Sequence, residues 1–237
     1  MNDQVQMFQI EFSEAANDLQ KFCFITRAKE LQVEACDKLE ELKEKAGKLK
    51  QEAISREDED SANAMLSIEE MIIALMSELR MWIALKDDDA DSAWNHLVSA
   101  QYAARTAMQA HSVSKHLEGY VNHLDILEHV LFPPQGFFSP SLIVEHSKCS
   151  ICGQEYGECE HIVGRAYMGK ICTLIIEEVK ELKEISLVTE PANKRARVIS
   201  ITDDDGILRN VMTWRAVPDN ADRKTNGREY EGAKHDK

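Results

Sequence analysis

Four soft or borderline metal ligands fall within thirteen residues of this chain: Cys149 and Cys152, then Cys159 and His161, spaced C-x2-C-x6-C-x-H. Zn²⁺ takes four such ligands in a tetrahedron, and three thiolates with one imidazole are a common structural set. A tight turn brings both sulfurs of a C-x2-C pair inward. Gly153 follows the pair, where a knuckle needs positive φ, and Gly157 lies in the return loop. The same C-x2-C could be a redox pair, but that motif belongs between a strand and a helix of a βαβ unit. Here the flanks read as loop, so the spacing predicts structural zinc in a small module. His146 and Cys172 are reserve ligands, and Cys172 also suits a small apolar place on a strand.

A chain of 237 residues, 43% hydrophobic, has room for one large or two ordinary domains. Its six cysteines, two early and four clustered late, make a metal pattern of a reducing compartment and not a disulfide framework. The start, Met1 to Gln6, has no basic or apolar leader character, and no window approaches a membrane span. A cytoplasmic protein is the expectation. The net charge of −14 is uneven, −16 over residues 1–190 and +2 over the rest. Such a field repels phosphate, which makes nucleic acid an unlikely general partner. Lys194, Arg195 and Arg197 form one basic cluster, expected as a solvated strand edge.

Residues 1–131 read as helices. Leu31, Ala35, Leu39, Leu42, Ala46, Leu49 and Ala53 step by four, four, three, four, three and four. That narrow stripe is of the coiled-coil kind, and it predicts a long helix over about 27–56 needing a partner helix from this chain or a second copy. An earlier helix covers about 5–24. A later one carries Met65, Ile68, Ile72, Leu75, Leu79 and Trp82 until Asp87-Asp88-Asp89 interrupts it. The next starts near Asp91, and its Ala93-Trp94, Leu97 and Ala104 resemble a tetratricopeptide helix, though no 34-residue period repeats. The last runs from Val113 to Leu131 and stops at Pro133-Pro134. His116, His123 and His129 fall between its apolar positions and read as surface or boundary residues.

The segment 132–148, with two prolines and then Phe137-Phe138 and Ile143-Val144, reads as a linker packed on its neighbours. After the cluster the period changes. Residues 170–176, 182–189 and 197–201 read as strands, and 211–217 as a further short one, with Asp203 to Gly206 as a turn. The expected fold is α+β. An antiparallel helical bundle (1–131) precedes a linker (132–148), a zinc-knuckle β-module (149–217) and a disordered tail (218–237).

Glu184-Ile185-Ser186-Leu187-Val188 followed by Pro191-Ala192-Asn193 resembles a segment near the end of the catalytic domain of tailed-phage prohead maturation proteases, which are similar to serine proteases of the herpesvirus assemblin type. The resemblance implies a catalytic Ser and His on a β-barrel. Here the neighbouring Ser186 and His161 lack the family's motif context, and no catalytic residue carries over. Residues 149–193 also look like a module of uncharacterised prokaryotic and phage-encoded proteins. Phosphate-loop, dinucleotide, nucleophile-elbow and H-E-x-x-H signatures are absent from the sequence. Three function classes follow. The first is a non-catalytic zinc-binding interaction or scaffold protein, with a protein partner or self-association through helices. The second is a prohead-protease-like enzyme or its inactive relative. The third is a nucleic-acid-binding zinc module.

Overall fold

The computed structural model of the protein describes residues 2–218. The expected disordered tail falls, Pro218 apart, outside the described residues. The fold is α+β, as the sequence predicts. The described residues fall into two compact units, divided between Arg197 and Val198.

The first unit opens with five helices: α1 (Asp3–Leu19), α2 (Lys29–Ser55), α3 (Glu59–Lys86), α4 (Ala90–Ala110) and α5 (Glu118–Leu131), with a 3₁₀ turn, Ser112–Leu117, before the last. The turns joining α2 to α3 and α3 to α4 are copies of one another. Glu57 and Asp88 take positive φ, at 55° and 59°. Each is followed by an aspartate, Asp58 or Asp89, whose carboxylate accepts the amide of Ser61 or Ser92 and caps the next helix. The backbone amides of Asp58 and Asp89 both donate at 3.0 Å, to Ala53 O and Ala84 O. The underlying pattern, Asp-x-Asp-Ser-Ala, recurs at residues 58–62 and 89–93. This repeat lies below the 34-residue period that the sequence reading tested. It fixes two successive chain reversals with the same hydrogen bonds.

The α2 stripe is turned inward within this chain. Ala35, Leu39, Ala46 and Ala53 are buried. Leu31 is exposed and its place in the seam is taken by Gln32, which is fully buried and donates to Phe22 O and Phe24 O. α3 is the central helix, with eighteen buried residues along its length, so apolar groups surround it on most sides. One carboxylate lies among them. Glu78 accepts from the Tyr120 hydroxyl at 2.8 Å and stands 3.3 Å from His123 Nε2. That hydrogen bond raises the His123 pKa.

The segment expected as a linker is a strand. β1 (Phe137–Cys149) pairs antiparallel with β4 (Leu174–Val188), which merges two expected strands into one of fifteen residues. β-branched residues and alternation outweigh the single Pro140 there. Pro140 is tolerated because its missing donor lies on the outer edge. The neighbouring alternate residue, Phe138, already sends its amide outward, to Ala196 O at 2.7 Å. Between these strands lie β2 (Ala166–Tyr167) and β3 (Lys170–Ile171), a two-stranded hairpin. In the second unit β5 (Ser200–Thr202) pairs with β6 (Leu208–Asn210) around a turn held by Asp203, which accepts from Arg209 and from the amides of Asp205 and Ile207. The strand expected over 197–201 begins only at Ser200. The one expected over 211–217 is reduced to a bridge from Ala216 to Arg209.

The ribbon of β1 and β4 is tied to the helices at its Phe137–Val188 end. Phe137 is buried against Trp94, ring centroids 6.0 Å apart, and Phe132 meets the same indole edge-on. The strap after β4 crosses α4 and α5. Trp94 Nε1 donates to Lys194 O at 3.0 Å and the Tyr102 hydroxyl to Ala192 O at 2.9 Å. Lys194 pairs with Glu128, Arg197 pairs with Asp91, and Arg195 donates to Ser99 Oγ. The basic cluster expected as a solvated strand edge is therefore a clamp onto the helical part. Its sequence signal, three cations in four residues, does not show where their acidic partners lie.

Candidate metal centre

The opposite end of the ribbon holds the cysteines. Cys149 is the last residue of β1, so pairing with Leu174 fixes its backbone. The chain then turns sharply. The Gly153 amide donates to Cys149 O at 2.8 Å, and Gly153 takes φ +73°, open to glycine without strain. This turn is the knuckle the sequence predicts, and it carries Cys149 and Cys152 on one side. The Ile151 amide donates to Cys149 Sγ at 3.4 Å. The return loop is pinned to β1 by the Tyr156 amide on Ser147 O and by Glu155 Oε1, which accepts the Ser147 amide. It delivers Cys159 and His161.

The ligand atoms of Cys149, Cys152, Cys159 and His161 all lie within 4.8 Å of one another, the one such group among the described residues. All four sequence candidates are thus brought together. The spacing fits a metal ion. Thiolates about 2.3 Å from zinc stand a little under 4 Å apart in a tetrahedron. A second observation points the same way. The His161 ring packs edge-on to Tyr167, centroids 4.7 Å apart, and its buried Nδ1 has no hydrogen-bond partner among the described residues. A buried polar nitrogen without a partner is costly, and a metal centre relieves that cost. This Cys₃His group can hold a metal ion.

Electrostatics within the cluster favour a thiolate at Cys149. Burial acts to raise its pKa, but the amides of Cys152 and Ile151 and the neighbouring thiols outweigh it and bring it down to about 6. At Cys159 the His161 amide pulls downward, yet burial and the other thiols leave the pKa raised. Burial and the Cys149 sulfur raise Cys172. One thiol lowered and two raised is the pattern expected when several thiols share one site.

Of the two reserve ligands, His146 stands apart on β1, with Nδ1 3.9 Å from Glu155. Cys172 is closer. It is buried, and its sulfur lies 3.7 Å from that of Cys149. Its amide donates to Arg165 O and its carbonyl accepts from Gly164, so it joins the hairpin wall to the cluster.

That hairpin, β2 to β3, docks the centre onto α3. Its two-residue turn has positive φ at both Met168 and Gly169, the primed geometry that suits tight hairpins. Asn63 grips it from both sides, accepting the Gly169 amide at 2.8 Å and donating to Ala166 O at 3.4 Å. The Met168 amide donates to Glu59. A Cβ on Gly169 would lie 3.1 Å from Lys50 Cγ. Sequence reading missed Asn63 and Gly169. The Met-Gly turn was the available signal, but a helix asparagine about a hundred residues earlier gives none.

Ser186 sits in β4 opposite Ser139, and its hydroxyl donates to Glu184 at 3.2 Å. His161 lies in the cysteine cluster. These two residues, the serine and histidine nearest the resembling segment, do not hydrogen-bond to one another. Among the described residues no helix is long and apolar enough to cross a membrane. No family model, curated protein or solved structure matches the chain.

Proposed function

We propose that the chain is a non-catalytic, zinc-dependent scaffold protein, in which an antiparallel helical bundle carries a zinc-stapled β-module. The observation that carries this reading is the closed Cys₃His donor set with its unpartnered His161 nitrogen. Zn²⁺ would be held by Cys149, Cys152, Cys159 and His161. When bound it supplies cross-linking and no open coordination position, and thiolate ligands damp its Lewis acidity. The residues around it behave accordingly. Glu155, Ser147 and Gln154 fasten the knuckle to β1, and Asn63 fastens the hairpin to α3. Each holds the backbone of the module in place, Ser147 and Gln154 through their carbonyls and Glu155 and Asn63 through their side chains. Reduced thiols suit a cytoplasmic setting. The ion-paired positions of Lys194 and Arg197 argue for a protein partner over nucleic acid.

Elemental analysis of protein purified without chelator tests the reading. One zinc per chain is expected, falling to none in Cys149→Ser. Peptidase activity abolished by Ser186→Ala would overturn it in favour of the protease class.

A further inference from the structure

The ribbon between the cysteine cluster and the helical part carries an apolar face that the described residues of the first unit leave uncovered. Residues opposite one another in an antiparallel pair share a face. Phe138 is opposite Leu187, Pro140 opposite Ile185, Leu142 opposite Leu182 and Val144 opposite Val179. All eight are therefore on one side. The other side carries Ser139 with Ser186, Ser141 with Glu184, and Ile143 with Glu181.

This sorting is not automatic. Val179, Leu182, Ile185 and Leu187 are spaced three, three and two, and strict alternation would scatter them over both faces. The register shifts restore them. Four residues are passed over in the pairing, and they are Lys183, Lys180, Glu145 and Glu177. Every one is charged. Each shift sets a charged residue outside the register, and the first two keep the apolar set together.

Leu182, Ile185 and Leu187 are 53%, 60% and 67% exposed. An isolated two-stranded ribbon is marginal in water and needs a packed face. Taking roughly 150–200 Å² for each fully exposed residue, the eight leave on the order of 600 Å² open, at the upper end of the largest patch a monomer usually shows. Residues 219–237 contain one large apolar residue, Tyr230, and are too polar in composition to fill such a face.

The geometry points to a second copy of this chain as the occupant, with two ribbons stacked apolar face to apolar face about a two-fold axis. Two such faces bury about 1,200 Å², the lower end of a stable interface. The ribbon strands carry five glutamates and three lysines, interleaved, so the rim of one copy offers both signs to the other despite the charge of −14 on the whole chain. Edge-to-edge pairing is opposed by Pro140 on the outer edge of β1 and by the displaced lysines of β4. The stacked arrangement gives the scaffold reading a specific contact through the ribbon in place of the helices. It rests on that reading only for its purpose.

Light scattering on the full chain at about 100 µM tests it, a concentration well above that needed by a dimer of useful affinity. The expected mass is twice 26.9 kDa. Leu182→Glu with Ile185→Glu should give the monomer mass, and Ser139→Glu with Ser141→Glu, on the opposite face, should leave the dimer intact. Zinc content and far-ultraviolet circular dichroism of each variant establish that it is folded. A wild-type monomer, or a dimer indifferent to the Leu182 and Ile185 changes, overturns the inference. If zinc remains at one per chain in that case, the scaffold reading stands without it. Absence of zinc together with an intact dimer would remove that reading and leave the ribbon contact.

Discussion

The helical part and the β-region solve the problem of stability in different ways. In the helices the apolar residues are inside: Leu39, Met65, Ile68, Leu79, Trp94 and Leu97 are almost wholly buried. Burial of this kind stabilises by about 1.5–3 kcal/mol for each large side chain, and it needs no cofactor. In the ribbon the long apolar side chains lie outside, and the buried residues at its ends are Phe137 and Cys149. The β-region has too few buried residues to hold itself, so its order comes from its attachments. These are the Trp94 pocket with the strap of residues 192–197, the grip of Asn63 on the β2–β3 hairpin, and the cysteine cluster. A region that exposes an apolar surface for a partner cannot also bury that surface in its own core. A metal ion held by Cys149, Cys152, Cys159 and His161 would compensate at the point where the core is missing.

The largest effect that can break this comparison is removal of the metal. A strong chelator should abolish amide-exchange protection over 145–176 while α2, α3 and α4 keep theirs, because binding free energy in so small a module is folding free energy, on the order of 10 kcal/mol. Loss of protection in the helices as well would mean that the two regions are one cooperative structure. The converse substitution is Leu39→Ala. It empties a fully buried position at the α2–α3 contact and should destabilise the helical part by about 2–5 kcal/mol, with zinc content unchanged, as read by denaturant unfolding and elemental analysis.

The smallest effect sharpens the helical side. Asp58 and Asp89 cap α3 and α4, and hydrogen bonds from Ser61 and Ser92 lower both pKa values. A carboxylate with a lowered folded pKa contributes stability that is fully present above its unfolded value near pH 4, and that is lost as pH falls through the folded pKa. Asp89→Ala should therefore cost about 1 kcal/mol at pH 7 and progressively less as pH falls below about 4, measured by urea titration at neutral and acid pH. Equal losses at both would show that the cap does not act through its charge.

The two regions were also unequally legible in sequence. Helices α2 to α5 are long and periodic, and Asp87-Asp88-Asp89 marked their boundary because aspartates compete with the backbone there. The four candidate ligands were legible because a knuckle is local: turn, glycine and both sulfurs of Cys149 and Cys152 sit within five residues. The ribbon was not. Pro133 and Pro134 give 132–148 the look of a linker, and the charged run Glu177 to Lys183 divides β4 into two apparent strands. The same holds for the strap, since Lys194, Arg195 and Arg197 find their partners about a hundred residues away on α4, or 66 residues away at Glu128. Nothing in local composition encodes such a distance. Cys172 was legible only as a reserve ligand or a small apolar strand residue, and it lies beside Cys149.

That neighbour makes the ligand shell itself the sharpest test. X-ray absorption at the zinc edge of the purified protein should show three sulfurs at about 2.3 Å and one nitrogen at about 2.0 Å, unchanged by Cys172→Ser and altered by His161→Ala. A four-sulfur shell that loses a sulfur in Cys172→Ser, or a shell of oxygen and nitrogen alone, would contradict the assignment of Cys149, Cys152, Cys159 and His161 as the staple of this fold.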